Sequence, residues 1–285
     1  MCSTCGCSGE GSGTRISLVP EHDHPYDADH QHPQDHEHPH DHQHPHEHPH
    51  EHAAGQGHEH SQGHGHAPTV EETRTILLEQ EILAKNDGLA AANRHRLQER
   101  GITAINLMSS PGSGKTTLLE STVRAYAGTR ETLVIEGDQE TWLDAQRIRA
   151  TGSKVVQINT GAGCHLDAQM LAGGLAELAP PDNSLVFVEN VGNLVCPALF
   201  DLGETARVVI ISVTEGADKP AKYPYMFRTA DLVLLNKIDL LPYVDFDIDL
   251  CLSLIHQLKP DAQILQLSAT KGDGLADWQA WLDTL

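Results

Sequence analysis

The segment Met108-Ser-Ser-Pro-Gly-Ser-Gly-Lys-Thr-Thr117 carries the residue types that hold a polyphosphate. The apolar run Ile102 to Leu107 precedes it and Leu118-Leu119 follows, so strand, glycine-bearing loop, Lys-Thr and helix come in the required order. Glycines let backbone amides close on an anion without a Cβ in the way, which makes Gly112, Ser113 and Gly114 the cradle. Lys115 reaches the terminal phosphates, the Thr116 hydroxyl ligates Mg²⁺, and Thr117 completes the loop. Ser109 stands where the usual pattern begins with Gly.

Two further stretches name the base. A buried strand at Asp231 to Leu235 ends in Asn236-Lys237-Ile238-Asp239, the guanine-reading NKxD pattern. A carboxylate at Asp239 accepts from guanine N1–H and the 2-amino group, and adenine offers no matching pair of donors. A pocket built around it leaves a charge unpaired with ATP, which is costly. The strand Gln263 to Leu267 ends in Ser268-Ala269-Thr270, which matches a loop that backs the guanine. The expected nucleotide is therefore GTP. Leu185-Val-Phe-Val-Glu189-Asn190-Val-Gly192 is an apolar strand ending in a carboxylate, with Glu189 placed to hold Mg²⁺ and Gly192 to let the backbone sense the γ-phosphate. Asp138, after Thr132 to Gly137, is a candidate for the magnesium shell or for positioning water. A helix cap is its alternative role, with Thr141 and Asp144 at the start of the helix that follows.

Three groups of residues suit soft or borderline metals. Cys2-x-x-Cys5-x-Cys7 can wrap one ion with three thiolates, and the terminal amine is a possible fourth donor; S₃N suits square-planar Ni²⁺, and tetrahedral Zn²⁺ is feasible. Between His22 and His66 lie seventeen histidines, among them His36, His38, His40, His42, His44, His46, His48, His50 and His52. Neutral imidazoles bind Ni²⁺, Cu²⁺ and Zn²⁺, so the tract reads as a multi-ion reservoir, with a solubilising tail as the alternative. The third set is Cys164, His165 and Cys196, with Asp167 nearby. Cys196 follows Gly192, so nucleotide state can change metal affinity there, and two subunits meeting can complete the site. A buried, unliganded cysteine is the commoner fate of such a residue. Cys251, His95 and His256 have no partners in sequence and read as structural.

These sites need an element to stand on. From Ile102 the chain alternates apolar runs (102–108, 132–137, 155–159, 184–189, 206–213, 231–236 and 263–267) with helical stretches at 115–127, 141–150, 165–178, 245–258 and 274–284. Runs apolar on both faces predict a mostly parallel, doubly wound seven-stranded sheet covered on both sides, with ligands at the strand C-terminal ends. The expected organisation is a Cys-rich peptide at 1–13, a disordered His-rich tract at 14–68 and a GTPase domain at 69–285. Its helical extension, 69–100, packs through Ile76, Leu77, Ile82, Leu83, Leu89 and Leu97, and Asn86-Asp87-Gly88 can break it. The chain has 285 residues and a formal charge of −21, about half of it from the ten acids of residues 21–66, a sign that disfavours nucleic acid. No 18-residue apolar run and no basic, apolar leader are present, so the expectation is a cytoplasmic protein with no membrane span.

The joint pattern resembles the HypB/HupM family of hydrogenase nickel-incorporation GTPases, which are SIMIBI-class P-loop proteins. The resemblance rests on the Cys2–Cys7 peptide, the His tract, Ser109 to Thr117, Glu136-Gly-Asp138, Gly163-Cys164-His165-Leu-Asp167, Glu189 to Pro197, Lys219-Pro-x-Lys-Tyr-Pro224 and Asn236-Lys-Ile-Asp239. It implies slow GTP hydrolysis coupled to nickel delivery to the [NiFe]-hydrogenase large subunit. Cys2, Cys5 and Cys7 match the tight nickel site; Cys164, His165 and Cys196 match a nickel/zinc site at a GTP-promoted dimer interface. The resemblance also implies the zinc-containing accessory protein HypA as partner and passage of nickel through SlyD. A different class of function remains open at this point: a nickel/zinc storage protein whose His tract does the main work under a regulatory GTPase domain. A zinc- or cobalt-directed GTPase is a third.

Overall fold

The computed structural model describes residues 14–19, 70–139 and 142–285. Cys2, Cys5, Cys7, the His tract and Thr141 lie outside them. Eight strands form one sheet: β1 (Arg15–Leu18), β2 (Thr103–Ser109), β3 (Thr132–Asp138), β4 (Val155–Asn159), β5 (Leu185–Glu189), β6 (Ala206–Ser212), β7 (Leu232–Asn236) and β8 (Gln263–Gln266). Their order is β1-β4-β3-β5-β2-β6-β7-β8. Strands β2 to β8 pair in parallel, and β1 alone is antiparallel, against β4.

The sheet thus has one strand more than the seven expected. The extra strand comes from Arg-Ile-Ser-Leu, placed by sequence inside the low-complexity tract. Four residues give too short an alternation to stand out beside a long His-rich run. Docking comes from Ile16 packing on the domain and from Val19, which is buried.

Alternation along the buried strands sends one set of side chains to each face. On one face Ile105, Leu107, Val134 and Phe187 meet α2 (Lys115–Tyr126), α3 (Leu143–Arg149) and α9 (Leu275–Leu282). Trp278 of α9 is wholly buried there and donates its indole N–H to Thr122 Oγ1 at 2.9 Å. The other face is covered by α1 (Val70–Glu99) and α4 (Ala168–Leu178) over Ala104, Ile135 and Ile158. Beyond them, α7 (Pro224–Arg228) and α8 (Ile248–Leu258) cover Met108, Val209 and Val233. Two short helices, α5 (Cys196–Leu199) and α6 (Lys219–Lys222), and a 3₁₀ turn at Ile238–Tyr243 complete the elements.

Helix α1 runs unbroken through Asn86-Asp87-Gly88. Its packed seam is Asn86, Ala90, Asn93 and Leu97, all buried, whereas Leu77 and Ile82 are exposed. The expected leucine face therefore holds only at its C-terminal end. Asn86 Nδ2 donates to Asp201 O and its Oδ1 accepts from Ala168 N–H. Asn93 Nδ2 donates to both Ala168 O and Leu202 O. Buried amides with partners at every turn are tolerated where unpaired ones are not. Gly203 lets the chain pass this close, because a Cβ there would collide with Ala90 O.

Candidate functional site

The sheet's C-terminal edge opens into a cavity of about 610 Å³, lined by Gly112, Gly114 to Thr117, Glu136 to Gln139, Cys164, Glu189 to Asn193 and Lys237, among others. The phosphate loop forms one wall. Gly112 and Gly114 have φ of 74° and 101°, a left-handed backbone that other residues adopt at a cost. Gly114 is also fixed by crowding, since a Cβ would meet the Asn236 side chain. Lys115 Nζ donates to Ser109 Oγ at 2.8 Å, so the serine in place of glycine serves as the lysine's resting partner.

The acids gather beneath the loop. Thr116 Oγ1 donates to Glu189 Oε1 at 2.9 Å, while Glu189 Oε2 and Glu136 Oε2 are buried with no hydrogen-bond partner. Burial pushes the Glu189 carboxyl up to about 7 even though Lys115 and Thr116 pull it down. Burial, then the neighbouring charges of Glu189, Asp138 and Asp144, pushes Glu136 up to about 9. Burial also lowers the Lys115 ammonium, against the pull of Glu189. Two orphaned carboxylate oxygens beside a threonine hydroxyl form an oxygen-rich set that suits Mg²⁺. In the sequence Glu136 stands out only as part of Glu136-Gly-Asp138; its burial among acids is not visible there.

The base-side motifs converge on one residue. Asn236 donates through Nδ2 to Ser113 O at 2.8 Å, and its Oδ1 accepts from Lys237 N–H and Ala269 N–H. Lys237 Nζ donates to Gly112 O at 2.7 Å. Asn236 thereby joins the phosphate loop, the NKxD segment and the Ser268-Ala269 loop. Ser268 is buried, with Oγ accepting from Lys271 N–H. Asp239 sits partly exposed on the 3₁₀ turn and does not line the phosphate cavity.

The metal-type residues meet beside the cavity, and Cys164 is the one of the three that lines it. One ligand atom each from Cys164, His165 and Cys196 lies within 4.8 Å of the others. His165 stacks on Phe200 at 4.0 Å between ring centroids. Burial lowers its pKa, against the pull of Asp167, and so favours the neutral imidazole that ligates metals. The helix expected from residue 165 begins at Ala168, because Asp167 is its cap: Oδ1 accepts from Met170 N–H at 2.7 Å. His165 therefore stands in a loop, and Asp167 serves the helix.

Asn190 and Asn193, to which the sequence assigns no role of their own, connect the two clusters. Asn190 Oδ1 accepts from Leu166 N–H and Val191 N–H, and its Nδ2 donates to Asn106 Oδ1. Asn193 Nδ2 donates to Cys164 O at 3.4 Å. Gly192 lies against the phosphate loop, where a Cβ would come 3.1–3.2 Å from Pro111. Arg147 also lines the cavity, held by Glu120 at 2.9 Å and Asp144 at 3.2 Å. Lys219 donates to Ser110 Oγ at 2.7 Å, tying α6 to the phosphate loop. Cys251 is buried in the core, and His95 pairs with Glu99 on the surface, consistent with structural roles.

Comparison with known proteins places this geometry. Residues 103–266 match the family described as the CobW/HypB/UreG nucleotide-binding domain. The chain is 53% identical to the hydrogenase maturation factor HypB of Azotobacter vinelandii over 216 residues, 76% of this chain and 71% of that one. It belongs to the HypB family. The Escherichia coli K12 member is 52% identical over 217 residues, covering 76% of this chain and 75% of its own. Among solved structures, HypB from Archaeoglobus fulgidus superposes with a TM-score of 0.66 at 40% identity, covering 70% of this chain and 98% of that one. HypB from Helicobacter pylori, solved in complex with nickel, gives 0.65 at 39% identity, covering 70% and 93%. As a HypB-family member the chain carries the nucleotide-binding domain of a P-loop GTPase. Among the described residues, no helix is long and apolar enough to cross a membrane.

Proposed function

We propose that this chain is a cytoplasmic, GTP-hydrolysing nickel metallochaperone for [NiFe]-hydrogenase maturation, in which nucleotide state sets metal affinity. The observation that carries the reading is a shared wall: Cys164 lines the phosphate cavity and also belongs to the Cys164/His165/Cys196 cluster. Asn190 and Asn193 fasten that cluster's loop to the segment after Glu189. A γ-phosphate that moves residues 190–193 through Gly192 therefore moves a ligand-bearing loop.

In this reading the Gly112–Thr117 amides and Lys115 hold the phosphates, and Asn236, Lys237, Asp239, Ser268 and Ala269 hold guanine. Thr116, Glu189 and Asp138 hold Mg²⁺, which supplies charge neutralisation at the phosphates when bound. Burial keeps Lys115 desolvated, so its charge acts on the phosphates with little screening. Slow turnover, which the resemblance implies, makes the hydrolysis event a timer for metal release. Nickel is the cargo and Zn²⁺ a second occupant of the thiol-imidazole set, which three ligands leave open for exchange or for completion by a second copy. Cys2, Cys5 and Cys7 form the tight nickel site, and the His tract is the reserve. The partners are a second copy of the chain, HypA, SlyD and the hydrogenase large subunit. The cytoplasm is the compartment this reading requires, because the thiols must stay reduced.

The test is Cys164→Ser with Cys196→Ser in the full chain. GTP turnover should stay within about threefold, while nickel affinity at the cluster and hydrogenase maturation at limiting nickel are lost. Full maturation in that variant would refute the role of the cluster.

A further inference from the structure

Helix α1 stands outside residues 103–266, the span matched by the nucleotide-binding domain, yet its amides reach both segments that carry the thiol-imidazole ligands. Asn86 and Asn93 are seven residues apart, about two turns, and so lie on one face of the helix. Both are buried. Asn93 Nδ2 donates to Ala168 O at 2.8 Å and to Leu202 O at 3.0 Å. One nitrogen thus holds two carbonyl oxygens at most about 6 Å apart. Asn86 repeats the bridge two turns earlier: its Oδ1 accepts from Ala168 N–H at 2.9 Å and its Nδ2 donates to Asp201 O at 2.8 Å. Ala168 stands three residues after His165, and Asp201 and Leu202 stand five and six after Cys196.

The second of these segments is stiff, and it adjoins the imidazole. Arg94 Nη2 donates to both carboxylate oxygens of Asp201 at 2.8 Å, and Asp201 Oδ1 also accepts from Gly203 N–H at 2.9 Å. Glu204 Oε2 accepts from Leu202 N–H at 2.8 Å, and its Oε1 accepts from Asn106 and Arg207. Next to Asp201 in the chain is Phe200, whose ring stacks on His165. On the other side of Phe200 is α5, whose first residue is Cys196. The stack covers one face of the imidazole, and Nδ1 stands 3.7 Å from Cys164 Sγ. Helix α5 and the residue after it therefore supply both a thiol and the surface against which the imidazole is set.

We infer that α1 positions the Cys164/His165/Cys196 cluster: Asn86 and Asn93 fix the two ligand-bearing segments relative to each other, and Phe200 transmits that fix to the imidazole of His165. The inference rests on the metal role proposed above for this cluster. Three donors from two separate segments bind an ion more tightly when they are already in place, because ordering them at the moment of binding subtracts from affinity. Removing a group that orients ligands without touching the ion changes metal affinity about 10- to 100-fold. Asn86, Asn93 and Phe200 are positioning residues in that sense.

The experiment uses the full chain carrying Cys2→Ser, Cys5→Ser and Cys7→Ser. Thiolate-to-nickel charge-transfer absorption then reports the cluster, and the histidine tract, which has no thiolate, stays silent. In that parent, Asn93→Ala and Phe200→Leu should each weaken Ni²⁺ binding about tenfold or more and shift the band, with GTP hydrolysis within about threefold. Phe200→Tyr keeps the stack and should restore affinity to within about threefold of the parent. Trp278→Phe is the control: it loses the bond to Thr122 on the other face of the sheet, so it should lower stability in urea and leave nickel affinity unchanged. Asn86→Asp keeps the acceptor for Ala168 N–H and gives up the donor to Asp201 O; it is the milder probe if Asn93→Ala does not fold, with the same direction expected. Unchanged affinity in the asparagine variants or in Phe200→Leu would overturn the inference. So would an affinity that falls as far in Trp278→Phe as in Asn93→Ala. A parent chain with no nickel–thiolate band at all would instead sink the metal role of the cluster, and the positioning role with it.

Discussion

Asn236 holds three backbone groups of three different loops, so its removal should affect more than base recognition. In Asn236→Ala the Ser113 carbonyl and the Lys237 and Ala269 N–H groups lose their shared partner in a place where Asn236 itself is 1% exposed. Each lost bond is worth about 1 kcal/mol net, and more where a buried group stays unpaired, so the loss of stability should be about 3 kcal/mol or greater. Asn236→Asp keeps the two acceptor contacts and loses only the donor to Ser113 O, so it should fall between Ala and the wild type. Urea unfolding gives the stability. Binding of GDP and of inorganic triphosphate separates the two roles. A residue that acts only on guanine leaves triphosphate affinity unchanged, whereas a staple on the phosphate loop weakens both by tenfold or more. An Ala variant within about 0.5 kcal/mol of wild type, with triphosphate affinity intact, would refute the staple.

Glu136→Gln should stabilise the nucleotide-free protein at pH 8 and do little at pH 4. The native carboxyl sits at about 9 against an ordinary 4.5, so the native state holds the proton more tightly. Stability from this group is full below 4.5 and is lost as pH rises towards 9, a slope the variant should lack in pH-dependent urea unfolding. Asp167→Ala removes the cap of α4 and should cost about 1 kcal/mol of stability, with nickel affinity at the cluster falling alongside because His165 is two residues away. Gly192→Ala adds a Cβ against Pro111 and should weaken discrimination of a GTP analogue over GDP while GDP affinity stays near wild type, as read by isothermal titration.

Much of the nucleotide site was legible because its chemistry is local. Ser109 to Thr117, Glu189 and Asn236 to Asp239 each follow an apolar strand, and parallel pairing must carry strand ends to one edge. The Cys164/His165/Cys196 cluster was legible as residue types, and the fold supplies their convergence. What sequence could not show is held by tertiary contact. Asn86 and Asn93 look like ordinary helix-surface residues until Ala168, Asp201 and Leu202 are seen against them. Asn190 looks like a turn residue until Leu166 donates to it. Strand β1 was hidden because four residues carry little periodicity, and its partner strand lies some 140 positions away in sequence.

The most direct measurement is Ni²⁺ and Zn²⁺ titration of the full chain, with and without a non-hydrolysable GTP analogue, with mass followed by light scattering. Coupling through Asn190 and Asn193 predicts that the analogue shifts affinity at Cys164, His165 and Cys196, that mass rises to a dimer, and that Asn190→Ala abolishes the shift while GTP still binds. Metal affinity indifferent to nucleotide, with the mass of a monomer throughout, would contradict the account and move the storage role of the His tract ahead of it.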